Sequence, residues 1–146
     1  EVVEVSALST RGDGPSFDQY EYDPTEVLIA RFAGGAVGKV TSSIESKMPY
    51  VFNIQLLGTK GSIRNNQVYA RDKYPGQTGF ATIPTILPDS SDVTHHPFQG
   101  EIDHLVDCVL SGRESHASVA DAYKTHEICF AADRSAQEGR PVRLPL

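Results

Sequence analysis

The hydrophobic period of this chain changes once, at Phe98, and that change constrains the fold more than any other feature. Before it, apolar and polar residues alternate: in "EVVEVSALS", Val3, Val5 and Ala7 fall on one side, Glu4 and Ser6 on the other. A repeat of two is that of a strand with one buried face. After it, Phe98, Ile102, Leu105 and Val109 follow one another at i, i+4, i+7 and i+11, one stripe of an α-helix. Strands first and helices afterwards predict an α+β chain rather than repeated βαβ units.

The strand half reads as a meander. "EVLIARFA" (Glu26 to Ala33) is nearly all apolar, and "AVGKVTSSIE" (Ala36 to Glu45) puts Lys39, Thr41, Ser43 and Glu45 on one face. Gly34-Gly35 between them predicts a tight hairpin. "VFNIQLLG" (Val51 to Gly58) sets Phe52, Ile54 and Leu56 opposite Asn53 and Gln55. Gly58 to Gly61 and Asn65-Asn66 are turn signals around a short strand, Ser62 to Arg64, with Gln67 to Arg71 returning. "TRGDGPSFDQYEYDP" is turn chemistry. Residues 74–97, rich in Pro, Gly and Ser, read as loop with a little strand near Phe80 to Ile86.

The helical half has its own punctuation. Pro97 suits the first turn of the Phe98 helix and Gly112 ends it. Ser118 opens "SVAD", a capping-box pattern with Asp121 at the third helical position, predicting a helix from Val119 to Glu138. Ala131, Ala132 and Ala136 would let that helix approach a sheet closely. Gly139 stops it, Pro141 prevents its resumption, and "VRLP" follows as a short strand with Val142 and Leu144 inward. The expected architecture is an open-faced, mostly antiparallel (mixed) β-sheet with two helices covering its apolar face. The uncovered face would carry Glu4, Ser6, Lys39, Thr41, Ser43, Asn53 and Gln55, either solvated or as a wet subunit interface.

Bulk properties narrow the function. A chain of 146 residues suits one domain, 1–146, with a real core. A formal net charge of -6, with Lys and Arg scattered, argues against nucleic acid. No apolar run reaches the roughly 18 residues of a membrane helix. Cys108 and Cys129 stand in different segments and read as reduced, packed thiols of a cytoplasmic protein. The opening "EVVEVSAL" has neither an initiator Met nor a signal-peptide pattern and reads as a fragment that starts within a strand.

Most motifs dissolve on inspection. "AGGAVG" has Ala33 where a dinucleotide fingerprint needs its first glycine, and "KVTSSIE" after it is a strand. A pyrophosphate would find no helix N-terminus there. "GTKGS" lacks phosphate-loop spacing, and the "RGD" at Arg11 to Asp13 is a generic loop. Among five histidines, Glu101 and His104 share a helix face, but a di-iron site needs such a pair twice and two further carboxylates. His95-His96 are adjacent and in an extended segment point apart, so no metal site is expected. "IESKMPY" (Ile44 to Tyr50) is more suggestive: Glu45, Lys47 and Tyr50 gather at a sheet end, and Lys and Tyr hydrogen-bond polyhydroxylated or anionic ligands.

Two stretches carry a family resemblance. "HPFQGEIDHLVDCVLSGRESHASVADAYKTHEICFAADRSAQEGRPVRLPL" and "GGAVGKVTSSIESKMPYVFNIQLLGTKGSI" resemble, in the right order, the C-terminal part of the Gfo/Idh/MocA oxidoreductases. These are NAD(P)-dependent enzymes acting mostly on sugars, inositols and related polyols. The resemblance implies a dihydrodipicolinate-reductase-like, glucose-fructose-oxidoreductase-like C-terminal domain. It also implies that an N-terminal Rossmann domain, holding NAD or NADP and a catalytic lysine of a Glu-Lys-Pro motif, lies outside this chain. The helix that bears the family's catalytic Asp and His would end just before Glu1. No catalytic, cofactor-binding or metal residue is therefore carried over. What carries over is position: Lys47, Tyr50, His95, His96 and Phe98 become candidate substrate contacts, with Phe98 where many relatives have Tyr. The family commonly dimerises through its open sheet face.

The expected role is thus the substrate-binding and oligomerisation domain of an enzyme that transfers hydride between NAD(P) and a sugar, inositol or related polyol. Its partners would be its own Rossmann domain, a second copy and the polyol, and the isolated chain is expected to be inactive. Two alternatives remain at this point: a stand-alone protein-binding module using the open sheet face, and a metal-dependent enzyme using the His, Glu and Asp residues.

Overall fold

A computed structural model describes residues 1–14, 16–49, 51–84 and 98–146. The strands are β1 (Val2–Thr10), β2 (Thr25–Phe32), β3 (Val37–Ser43), β4 (Gln55–Gly58), β5 (Gly61–Arg64), β6 (Gln67–Tyr69), β7 (Ala81–Thr82) and β8 (Val142–Arg143), with helices α1 (Phe98–Ser111) and α2 (Val119–Glu138) ahead of β8. The order is the expected α+β one, and every described strand pair is antiparallel. Among the described residues the strands form two four-stranded ladders, β3-β2-β1-β8 and β4-β5-β6-β7. They belong to two compact units, Glu1–Lys47 with Asp103–Leu146, and Met48–Ile102.

In the first unit β1 is central. Its alternation buries Val5 and Ala7, and these meet Leu28 and Ala30 of β2, Val142 of β8 and Ala131 and Ala132 of α2 in one apolar cluster. The two alanines of α2 are fully buried: with only a methyl at each point of contact, the helix axis comes close to the sheet. The expected pair of helices is present, but α2 does the covering, packing on β1 and β8. It runs straight into β8 through Gly139, which caps it in the left-handed conformation at φ 65°. α1 buries Cys108 among its described side chains and leaves Leu105 and Val109 exposed.

Turn chemistry behaves as the sequence predicts. Gly35 takes φ 86° in the β2–β3 hairpin, and the Phe32 amide donates to Ala36 at 2.9 Å to close it. Asn65, at φ 52°, turns β5 into β6. Three details differ. β4 begins at Gln55, not Val51, because the Ile54 amide donates to the side chain of Asn65 (Oδ1, 2.9 Å) while the Asn65 amide donates to the Ile54 carbonyl (2.8 Å). A side chain thus takes over where a ladder would continue. Ser118 makes no side-chain cap; the amides of Asp121 and Ala122 donate to its carbonyl instead. Cys129 is exposed and so is not a packing residue, although Cys108 is.

Candidate functional site

Lys47 lies in the first unit, exposed, on the irregular segment after β3; Phe98 opens α1 in the second unit and is half-exposed. Tyr50, His95 and His96, with Pro97 ahead of α1, lie outside the described residues.

Close to Lys47 in sequence, the "IESKMPY" stretch takes part in a network whose partners are distant in sequence. Antiparallel pairing places Thr10, Thr25 and Ser43 side by side at one end of the first sheet. Beyond that end Glu45 reaches back. Its Oε2 accepts the Gly12 amide at 2.8 Å and its Oε1 accepts the Thr25 hydroxyl at 2.8 Å. Thr25 Oγ1 lies 2.7 Å from Ser43 Oγ, which lies 2.6 Å from Ser46 Oγ. A side chain at position 12 would meet Glu45, since a Cβ there would sit 2.9 Å from Oε2. The loop that supplies Gly12 is held closed separately: Asp23 accepts from the Ser9 hydroxyl (2.7 Å) and from Arg11 Nε (3.1 Å), and Arg11 Nη1 donates to the Phe17 carbonyl (2.9 Å). The Ser9 hydrogen bond, then Arg11, hold the Asp23 carboxyl below the usual aspartate range. Arg11 and Gly12, read from sequence as part of a generic "RGD" loop, thus have defined structural partners. The sequence offered the "IESKMPY" stretch at a sheet end and the small-hydroxyl face of β3 leading to Glu45, but not the partner at position 12, because positions 12 and 45 are linked through space alone.

At the opposite end of the same strands a cleft of about 210 Å³ opens between the sheet and α2. Val2, Phe32, Ile128, Leu144 and Pro145 form its apolar lining, with Lys124 and Glu127 among the polar residues. Glu127 is already engaged, its Oε1 accepting the Leu146 amide at 2.8 Å. Between β2 and α2, Glu26 and Asp133 form a carboxyl pair. Burial, and then the neighbouring Asp133, push Glu26 above its usual value, and burial also raises Asp133 although its hydrogen bond with Glu26 pulls the other way.

The described histidines, His104, His116 and His126, have ordinary partners. His104 Nε2 lies 3.0 Å from Ser115 Oγ and 3.5 Å from Cys108 Sγ, and its ring lies tilted by 51° against that of His116, with the centroids 4.0 Å apart. His126 Nδ1 is 2.8 Å from the Ala122 carbonyl of its own helix. Among the described residues no group of three or more His, Cys, Asp or Glu is placed to hold a metal ion. No helix there is long and apolar enough to cross a membrane. The "AGGAVG" stretch is the β2–β3 hairpin and leads into a strand. It offers no helix N-terminus to a pyrophosphate and does not fit a dinucleotide.

Comparison with known proteins agrees with this architecture. Residues 1–144 match the family described as the oxidoreductase family, C-terminal alpha/beta domain (GFO_IDH_MocA_C). The chain is 26% identical to the scyllo-inositol 2-dehydrogenase (NAD(+)) of Bacillus subtilis (strain 168), over 99% of its own length and 43% of that protein's. Among solved structures it resembles a levoglucosan dehydrogenase in complex with NADH and levoglucosan (TM-score 0.78, 23% identity, 100% of this chain and 46% of that one). It also resembles an oxidoreductase from Agrobacterium radiobacter in complex with NAD+, L-tartaric acid and magnesium (TM-score 0.73, 24% identity, 97% and 43%). The chain therefore spans less than half the length of each of these relatives. With a match over almost its whole length, and with the strands and helices in the order the resemblance implies, the chain belongs to the C-terminal domain family of the Gfo/Idh/MocA oxidoreductases.

Proposed function

We propose that this chain, as a single C-terminal domain over residues 1–146, binds substrate and mediates oligomerisation in an enzyme transferring hydride between NAD(P) and a sugar, inositol or related polyol. The observation that carries the reading is the family match over residues 1–144 in a chain that covers only 43% of an NAD(+)-dependent inositol dehydrogenase. The nicotinamide cofactor would be held by a preceding Rossmann domain, since the glycine-rich stretch here is a hairpin. This chain's contribution is to bind and orient the polyol; the cofactor supplies the redox chemistry when bound. Lys47, Tyr50, His95, His96 and Phe98 are the proposed contacts. The two unpaired cysteines support a reducing, cytoplasmic setting.

The open face of the first sheet supports the oligomerisation part of the reading. Strand register puts Glu4, Ser6, Lys39, Thr41 and Ser43 on that face, with Leu8, Val27, Ile29 and Val37 among them. Leu8 is 77% and Val37 67% exposed. The face is thus more apolar than its sequence suggests, and Gln55 belongs to the other sheet. Exposed apolar side chains interleaved with polar ones are the composition of a subunit interface.

The test is the full-length gene product. With its upstream sequence present, the purified enzyme is expected to reduce NAD+ or NADP+ with at least one of scyllo-inositol, myo-inositol and levoglucosan. Lys47→Ala and His96→Ala are expected to raise KM more than they lower thermal stability. A gene that starts at or just before Glu1, or a full-length protein with an upstream cofactor domain that turns over no polyol, overturns the reading.

A further inference from the structure

We propose that Glu45 is a positioning residue that fixes the segment bearing Lys47 at the end of the first sheet, an inference that rests on the reading above. Lys47 follows the last residue of β3 by four positions and belongs to no strand or helix. Left to itself, such a segment samples many backbone conformations, and each ordered residue costs entropy on binding. Glu45 removes that freedom two residues before Lys47. Its two carboxylate oxygens accept from two elements distant in sequence, the Gly12 amide and the Thr25 hydroxyl, both at 2.8 Å. The Ile44 amide adds a third tie, donating to the Pro24 carbonyl at 3.1 Å. The loop on the far side is itself braced by Arg11, Asp23 and Ser9. The clamp thus fastens the Lys47 segment to a stiff partner.

The chemistry of the clamp separates shape from charge. A glutamine at position 45 keeps it: its carbonyl oxygen accepts from Gly12, its amide donates to Thr25 Oγ1, and the Thr25 hydroxyl turns to donate to Ser43, 2.7 Å away. An alanine loses both bonds. Gly12→Ala puts a Cβ 2.9 Å from Oε2 and pushes the carboxylate aside.

The test uses the full-length enzyme, with scyllo-inositol as the varied substrate, or levoglucosan where that is oxidised faster. Glu45→Ala is expected to raise KM about tenfold with kcat within about twofold, and to speed hydrogen exchange of the Gly12 amide. Glu45→Gln restores KM, and Gly12→Ala behaves like Glu45→Ala. The Glu45→Ala/Lys47→Ala double variant is no worse than Lys47→Ala alone, because both changes remove the same contact. If Lys47→Ala raises KM while Glu45→Ala does not, or the two effects multiply, or Gly12 exchange is unchanged, this inference fails and the functional reading stands. If Lys47→Ala leaves the KM of an active enzyme unchanged, Lys47 is not a substrate contact and the inference falls with it.

Discussion

The hydroxyl of Ser135 on α2 accepts the amide of Ala7 on β1 at 3.0 Å and donates to the carbonyl of Arg140 at 2.8 Å. β1 pairs with β8 as Glu4 with Arg143 and Val5 with Val142. Continued, that register would set Ala7 opposite Arg140, but β8 is only two residues long and Pro141 has no amide to offer. One buried hydroxyl satisfies both backbone groups where the ladder ends. Ser135→Ala is expected to leave the Ala7 amide buried without a partner and to cost about 1–3 kcal/mol. Chemical denaturation checks this; an unchanged midpoint would show that water replaces the hydroxyl.

The Glu26–Asp133 pair makes stability depend on pH in a definite direction. Both carboxyls are raised above their ordinary values of 4.5 and 3.8 by burial. The folded state therefore holds these protons more tightly than the unfolded chain does. Their stabilising effect is full below those ordinary values and is lost as pH rises through the raised ones. Asp23 and Glu138, whose carboxyls are lowered by hydrogen bonds from Ser9 and Arg134 respectively, act oppositely. Glu26→Gln is expected to reduce the loss on the alkaline side, leaving the part due to the burial of Asp133, and to leave the protein at least as stable at neutral pH. The gain stays below about 1 kcal/mol, because both groups are only partly buried and solvent still screens them. Melting temperatures across mildly acidic to neutral pH would show it.

Gly61 is the position in the second sheet least able to accept a side chain. A Cβ there would lie 2.8 Å from the Tyr69 carbonyl oxygen and 3.0 Å from Ala70 Cβ, and the backbone oxygen cannot move aside cheaply. Gly61→Ala is expected to destabilise the β5–β6 pairing by about 1–3 kcal/mol. Gly34→Ala, with nothing within 4 Å, should stay within about 0.5 kcal/mol. Hydrogen exchange in β5 and β6 distinguishes local loosening from global loss.

Ile29 pairs with both Ser6 and Lys39 on the open face of the first sheet and is 53% exposed. If the proposed oligomerisation uses this face, Ile29→Asp in the full-length protein is expected to give a smaller species by light scattering, with little change in thermal stability of the separated subunit. An undiminished mass would exclude this face as the interface.

Local pattern determined much of this protein. The change of period at Phe98, the left-handed Gly35 and Gly139, and the turn at Asn65 depend on backbone preferences that neighbouring residues set, so α1 and α2 begin and end at the predicted residues. The buried side of β1 followed from alternation alone. The tertiary structure decided what depends on residues far apart in sequence. Among these are the division of the described strands into two ladders, the covering of the first by α2, and the apolar residues of the open face. Others are the hydroxyl of Ser135 standing in for a strand and the carboxylate of Glu45 joining Gly12 to Thr25. The physical reason is the same throughout: secondary structure is selected by short-range sterics and spacing, whereas these contacts pair polar groups that meet only once the chain has packed.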